Sequence, residues 1–464
     1  MAARGMAGGV RRRVVVIGGG IAGLAAAHRL RERAPHLDVV LFDQGDRPGG
    51  KLRTVELAGG PVERGAESFL SGDPAGGPSA AVRLAEQVGL GDAIVHPATS
   101  KAAVAVDGGL HDLPPGTLMG IPVDTDPAQH PDLHPDLPGS GPLLRPGEDV
   151  TVGGLVRPRR GDLVVDRFVE PLLGGVYAGR ADRLSLRMAL PALADAAERS
   201  DTLTGAVRSA LAARRSTPGA PVFSTVQGGM SRLVDAIAAT LPDVRLGLPV
   251  RELRRHGTGW RLTVGSTRDA STVDADGVVL AVPATPAARL LSTVDGLAGV
   301  PLGYASVALV ALALPATKLP ELSGFLVPAT DGFAVKAVTF FDQKWSHLRR
   351  PGLTLVRASV GRAGDEHQLQ RTDPDLLDLV RDEVARLLGV DRLPDPVDAA
   401  VFRWGGGLPQ YEPHHRDRVA ALRAALTAHP AITVAGAAYD GVGIPACVTS
   451  GWTAADTLLE ALEG

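Results

Sequence analysis

Gly18, Gly20 and Gly23 stand between a β-branched run and a helix-forming series in RVVVIGGGIAGLAAAHRL. In the spacing G-x-G-x-x-G, the first glycine permits a tight turn and the second lets backbone approach a pyrophosphate. The third lets the helix pack close against the strand. An anion held there meets a helix N-terminus, where unbonded N–H groups and the helix dipole favour negative charge. A second strand, DVVLFD, closes on Asp43. That is about 20 residues beyond the last glycine, where an acid meets a ribose hydroxyl. The chemistry expected of these residues is dinucleotide binding, and the fingerprint alone does not separate a nicotinamide from a flavin dinucleotide.

Other reactive side chains are few. Cys447 is the sole cysteine of 464 residues, which excludes an internal disulfide and a thiolate metal cluster and fits a reducing cytoplasm. It sits in YDGVGIPACVTSG with no histidine base nearby in sequence, so it reads as a small buried packing residue. His130 and His134 are four apart near acids, but their proline-studded stretch supplies no helix to align them, and no metal site is expected.

The elements that position these residues follow from composition and periodicity. A chain this long exceeds one ordinary core, and 45% hydrophobic with 21% charged residues is globular. A net charge of −3 gives no sign of nucleic acid or an acidic membrane surface. The apolar stretch after Arg13 is too short for a signal core, and no window reaches the ~18 apolar residues of a membrane helix. Pro122 to Asp149 is proline- and aspartate-rich without a period and is expected as a surface loop. Residues from Asp162 onwards turn helical, 300–360 are mainly strand candidates, and Asp373 to Leu388 is an amphipathic helix. Glycine-rich segments of nucleotide type occur at both ends and in the middle. The expected fold is α/β: a Rossmann-like dinucleotide-binding domain from 1–70, 223–290 and 425–464, a helical inserted domain from 79–210, and a mixed-sheet substrate domain from 71–78, 211–222 and 291–424.

Further strings narrow the class. DRPGGKLRT and VERGAESFL follow the acid-terminated strand, and this order resembles the flavin amine oxidase superfamily, which favours FAD. VEPLLGGVYAGRADRLSLRMALP, VQGGMSRL, GFLVP, RWGGGLPQY and AGAAYDGVGIPACVTSG together resemble the protoporphyrinogen/coproporphyrinogen oxidases, from about Val14 to Leu459. The resemblance implies FAD as cofactor, with its dinucleotide part on Gly18, Gly19, Gly20, Ile21, Ala22 and Gly23, and Asp43 and Gln44 at the ribose. Gly50, Lys51, Gly65, Ala66, Glu67 and Ser68 are implied to approach the flavin, Val250 the adenine. Trp404, Val442, Gly443 and Ile444 are implied to complete the flavin contacts, and Gly175, Val176 and Tyr177 to line a porphyrinogen cavity. Tyr177 and Val176 read equally well as core; Lys344, Trp345 and Tyr411 as packing; Arg357 and Arg362 as structural salt-bridge partners.

The reaction so implied is oxidation of coproporphyrinogen III to coproporphyrin III, with O2 as acceptor giving H2O2, in haem synthesis. No catalytic side chain is expected, because the flavin performs the hydride abstraction. Alternatives are protoporphyrinogen IX oxidation, another oxidase or desaturase of the superfamily, or a flavin-binding carrier without turnover. Two departures stand out. Relatives carry a basic residue after SFL, where this chain has Ser71, Gly72 and Asp73, so a substrate carboxylate must be met elsewhere, by Arg53, Arg64 or Lys101. Before His415 stands His414 in place of the usual glycine. The 122–149 loop replaces apolar helices of membrane-attached relatives, which suits a cytoplasmic enzyme.

Overall fold

The structure is a computed structural model that describes residues 11–113, 116–123, 134, 136–213, 219–429 and 431–463. Its first organising element is a parallel sheet drawn from four distant parts of the chain. Arg13–Ile17 lies at the centre, with Asp38–Phe42 and then Asp243–Arg245 on one side and Gly277–Leu280 and Ile432–Val434 on the other. Val14 pairs with Val39 and with Gly277. Val14, Val15 and Val16 are fully buried, because helices or strands cover both faces of the sheet and every position of a central strand must be apolar.

One face carries the helices Ile21–Arg33, Ala80–Gln87, Met230–Ala238 and Ile444–Glu463. The first and last cross closely: a Cβ on Gly451 would stand 2.2 Å from the Ala22 carbonyl oxygen. The other face packs on an antiparallel meander, Val250–His256, Gly259–Gly265 and Ala270–Ala275. Together these form the Rossmann-like unit expected from the glycine fingerprint.

A second sheet has seven strands, in the order Asp398–Gln410, Gly303–Pro315, Leu353–Val360, Val335–Phe340, Gly324–Leu326, Ala102–Val106 and Gly109–Asp112. Ala308, Val310 and Leu312 project from one face onto Leu376, Val380 and Val384 of the helix Asp373–Leu387. The opposite face, with Ala311, Leu355 and Phe402, turns towards the glycine-rich segments. The mixed sheet is therefore as expected, with one correction of extent. Residues 102–112 were placed in the helical insert, yet Ala102–Val106 pairs parallel with Gly324–Leu326 and extends this sheet. Its run AAVAV alternates small side chains between two covered faces, and Ala103 and Ala105 enter the same core as Phe325.

The remaining helices, from Val152–Arg160 to Leu203–Ala212, enclose their own core around Leu155, Val169 and Leu193. Residues 136–149 carry neither helix nor strand, as the proline-rich composition requires. Among the described residues no helix is long and apolar enough to cross a membrane.

Candidate functional site: a backbone cradle between two sheets

Three glycine turns meet at the carboxyl end of the parallel sheet. Gly18 has a φ of +108°, and a Cβ there would stand 2.5 Å from the Ala281 carbonyl oxygen. A Cβ on Gly23 would lie 1.9 Å from the Gly18 oxygen, so the helix sits against the turn that precedes it. Gly20 differs: a Cβ built there meets nothing within 4 Å. It caps the helix Ile21–Arg33 without a side-chain hydrogen bond, and the first helical bond runs from Leu24 N–H to the Gly20 oxygen at 2.9 Å. The N–H groups before Leu24 thus stand free at a positive helix end. The Gly49 N–H donates to the Gly19 oxygen at 2.7 Å, which brings Gly50 within 3.3 Å of Gly20, measured from its Cβ position. Open space over free amides is what a pyrophosphate needs. This site fits the dinucleotide that the sequence implies.

Asp43 ends the neighbouring strand. Its carboxylate accepts from Gly19 N–H at 2.5 Å and Gly45 N–H at 2.6 Å, which fixes it beside the cradle. The Leu248 N–H donates to the Asp43 carbonyl at 3.0 Å and the Gly247 N–H to the Gly45 carbonyl at 2.7 Å. Those bonds carry Val250 into the vicinity of Asp43 and Gln44, so the adenosine-side residues converge.

The flavin-side residues converge as well. A Cβ on Gly65 would lie 2.0 Å from the Lys51 oxygen and 3.2 Å from Trp404 Cζ2. The Trp404 indole N–H donates to the Arg64 oxygen at 2.7 Å. Burial lowers the Lys51 pKa, and Cys447, in the helix that starts at Ile444, is its electrostatic neighbour. Val442 and Gly443 lead into that helix, with the Cys447 N–H on the Gly443 oxygen at 2.9 Å. The Ile21 and Ala22 side chains are buried in the helix crossing, so these residues present only backbone to the cradle.

Glu67 is buried and already paired. Its carboxylate is held by Lys344 and Arg357. Burial would raise its pKa, but the two cations and their hydrogen bonds outweigh that and leave it below the usual carboxylate range. Of Gly65, Ala66, Glu67 and Ser68, the Glu67 side chain is therefore unavailable to a cofactor. Arg357 is the structural ion-pair partner expected. Arg362 is not: it donates to the carbonyls of Phe333 (3.1 Å) and Val327 (3.0 Å).

The three expected cavity residues separate. Val176 is 44% exposed, Gly175 faces Leu326, and Tyr177 packs edge-on against Tyr411 in the helical core. Burial pushes the Tyr177 hydroxyl up to about 12. Tyr411 and Trp345, left open between packing and substrate contact, are buried. Arg53 and Arg64 adjoin, the Arg64 N–H on the Arg53 oxygen at 2.8 Å, whereas Lys101 is exposed at the far edge of the large sheet. His130 lies outside the described residues, and among the described residues no cluster could hold a metal ion.

The sequence profile of flavin-containing amine oxidoreductases matches residues 21–459. The chain belongs to the flavin-containing amine oxidoreductase family. Membership implies a flavin cofactor and makes the protein an oxidoreductase. It is 38% identical over 470 residues to a protein of Mycobacterium tuberculosis (strain ATCC 25618 / H37Rv) named coproporphyrinogen III oxidase, covering 97% of this chain and 98% of the relative. It is 32% identical over 476 residues to the Bacillus subtilis (strain 168) protein of the same name, with the same coverage. Human protoporphyrinogen oxidase is 31% identical, covering 97% of this chain and 98% of the human one. The crystal structure of a candidate protoporphyrinogen oxidase from Exiguobacterium sp. 255-15 superposes with a TM-score of 0.82 at 31% identity, covering 97% and 99% of the two chains. The porphyrinogen-oxidase resemblance read from the motifs thus holds along the whole chain.

In this flavin oxidoreductase two residues near the cleft escaped the sequence reading. Glu63 is buried, accepts from Thr54 Oγ1 (2.9 Å) and Met230 N–H (2.7 Å), and burial first of all raises it to about 7. Lys336 is 5% exposed in the strand VKAVTF. A lone lysine inside an apolar strand was the available signal for it.

Proposed function

We propose that this protein is an FAD-dependent coproporphyrinogen III oxidase of haem synthesis that uses O2 and forms H2O2. The observation that carries this reading is the 38% identity along 97% of the chain to a relative of that name. FAD bound in the cradle would supply hydride acceptance from a bridge carbon of the macrocycle and electron transfer to O2.

The chain's own residues do the holding. Amides of Gly20, Ile21 and Ala22 meet the pyrophosphate, and Asp43 with Gln44 meets the ribose. Val250 would hold the adenine, and Lys51, Gly65 and Trp404 would hold the isoalloxazine. The positive end of the helix from Ile444 would favour electron gain by a flavin bound before it. Pro445, lacking an N–H, suits the first turn. Val176 and Gly175 lead into the substrate space. No side chain serves as nucleophile: burial pushes the Cys447 thiol up to about 12. The reading takes the domain division proposed from sequence, with 102–112 assigned to the substrate unit because Ala102–Val106 joins its sheet, and a cytoplasmic setting.

A second reading, protoporphyrinogen IX oxidation, is supported by the 31% identity to the human enzyme. Aerobic incubation with each porphyrinogen, following porphyrin fluorescence and peroxide, separates the two. Faster oxidation of coproporphyrinogen III is expected. Acceleration of neither refutes the proposal.

A further inference from the structure

The strand Val335–Phe340 is irregular at one point. Its pairing with Leu353–Val360 shifts register between Val335 and Ala337, so Lys336 is the extra residue of a β-bulge. Bulges re-aim side chains, and this one sends Lys336 off the sheet to the helix Glu170–Tyr177. There its ammonium donates to the Gly174 carbonyl at 3.0 Å. The next residues on that helix are Gly175 and the exposed Val176, which the proposed function places at the substrate space.

The charges around it are unusual. From the strand Leu353–Val360 comes Arg357, already committed to Glu67 and to the carbonyls of Glu63 (3.2 Å) and Gly65 (3.0 Å). From the loop beyond it comes Arg362, 6% exposed and bonded only to carbonyl oxygens. The acids of the neighbourhood are spent elsewhere. Glu170 pairs with Arg180 at 2.7 Å, and Glu383 of the helix Asp373–Leu387 accepts from Ala334 and Val335 N–H at 3.1 and 2.8 Å. Among the described residues no carboxylate lies within salt-bridge distance of Lys336, and one hydrogen bond leaves two of its three donors spare. Burial, with Arg362 and Arg357 adding like charge, lowers the amine to about 7. A buried cation without an anion is costly, and a site that retains one is prepared for an anion to arrive.

The two candidate substrates differ in this respect. Coproporphyrinogen III carries one propionate on each of its four pyrroles, so any edge that enters a closed cavity takes carboxylates inside. Protoporphyrinogen IX has two, on adjacent rings, and can lead with an apolar edge. We propose that Lys336 is the interior cation that receives a deep propionate, and that it sets the preference for the tetracarboxylate over the dicarboxylate macrocycle. This rests on the porphyrinogen reading above.

The test uses the flavin-loaded enzyme, both porphyrinogens, and Lys336→Met beside Lys336→Arg. The methionine variant should lower kcat/KM for coproporphyrinogen III roughly 10- to 100-fold more than for protoporphyrinogen IX, the scale of one lost charge-assisted bond. Arginine should restore most of the ratio. In the wild type the same ratio should fall as pH rises through about 7, where the lysine loses its charge, and stay level in Lys336→Arg. An equal loss on both substrates, or no loss, overturns the assignment and leaves Lys336 as a prop for the Gly174 turn. Should the methionine variant fail to fold, the wild-type and arginine pH profiles decide: a ratio flat with pH in both overturns it. A wild type that oxidises neither porphyrinogen refutes the functional reading itself, a result distinct from a wild type that is active with an unchanged ratio in the variants.

Discussion

The cradle around Gly18–Gly23 and the sheet face opposite it arrange their polar groups by different means. The cradle does it with backbone. Its glycines either pack against main chain, as Gly18 and Gly23 do, or leave room, as Gly20 does. The opposite face does it with long side chains from distant segments: Lys344 and Arg357 against Glu67, with Lys336 and Arg362 on carbonyl oxygens. Main-chain donors carry no titratable charge, so the first region is insensitive to pH. In the second region neighbouring carboxyls titrate in opposite directions, because Glu67 has two cations and Glu63 has mainly burial.

The contrast is sharpest within the glycine turn itself. Gly23→Val would force a side chain into the Gly18 carbonyl and should abolish folding, whereas Gly20→Val points into open space and should fold normally yet purify without flavin. Flavin absorbance and cooperative thermal unfolding of the two variants check this. Stoichiometric flavin in Gly20→Val would show that the pyrophosphate lies elsewhere.

On the opposite face, Glu67→Gln should cost about 3–5 kcal/mol in denaturant unfolding, since it strands Lys344 and Arg357 without their acid. A loss of under ~1 kcal/mol would put this triad with surface pairs of little weight.

Glu63→Gln is expected to do the reverse, and only with pH. Because the folded pKa of Glu63 is raised from 4.5 to about 7, its contribution is fully present below the lower value and is lost as pH rises through the higher. Relative to wild type, the glutamine variant should gain on the order of 3 kcal/mol between about pH 4.5 and pH 8. Parallel stability curves for the two proteins would contradict it.

The smallest effect is expected at Cys447→Ala. The thiol is buried, and its polar contact is the Gly441 oxygen at 3.5 Å. Flavin should be retained and stability should fall by about 1 kcal/mol. Complete loss of activity in a folded variant would return the thiol to the chemistry.

This contrast also decides what was legible in the sequence. A glycine turn is local: its spacing, the strand before it and the acid beyond it lie within a few dozen residues, so the parallel sheet and its cradle could be read directly. The convergence of Val250, Lys51, Trp404 and the Val442–Ile444 turn needed the family resemblance, because no local signal links them. The strand Ala102–Val106 was misassigned because its partner, Gly324–Leu326, is more than two hundred residues away. Lys336 was hidden for a similar reason. Its role depends on a bulge and on a helix from another segment, and neither leaves a periodic trace.

The central claim is that this cradle binds flavin to oxidise a porphyrinogen. Its most direct test is anaerobic rapid mixing of the flavin-loaded protein with coproporphyrinogen III. Bleaching of the visible flavin band is expected, with porphyrin appearing once air is admitted. A flavin that stays oxidised with both porphyrinogens, yet bleaches with a primary amine, would contradict it.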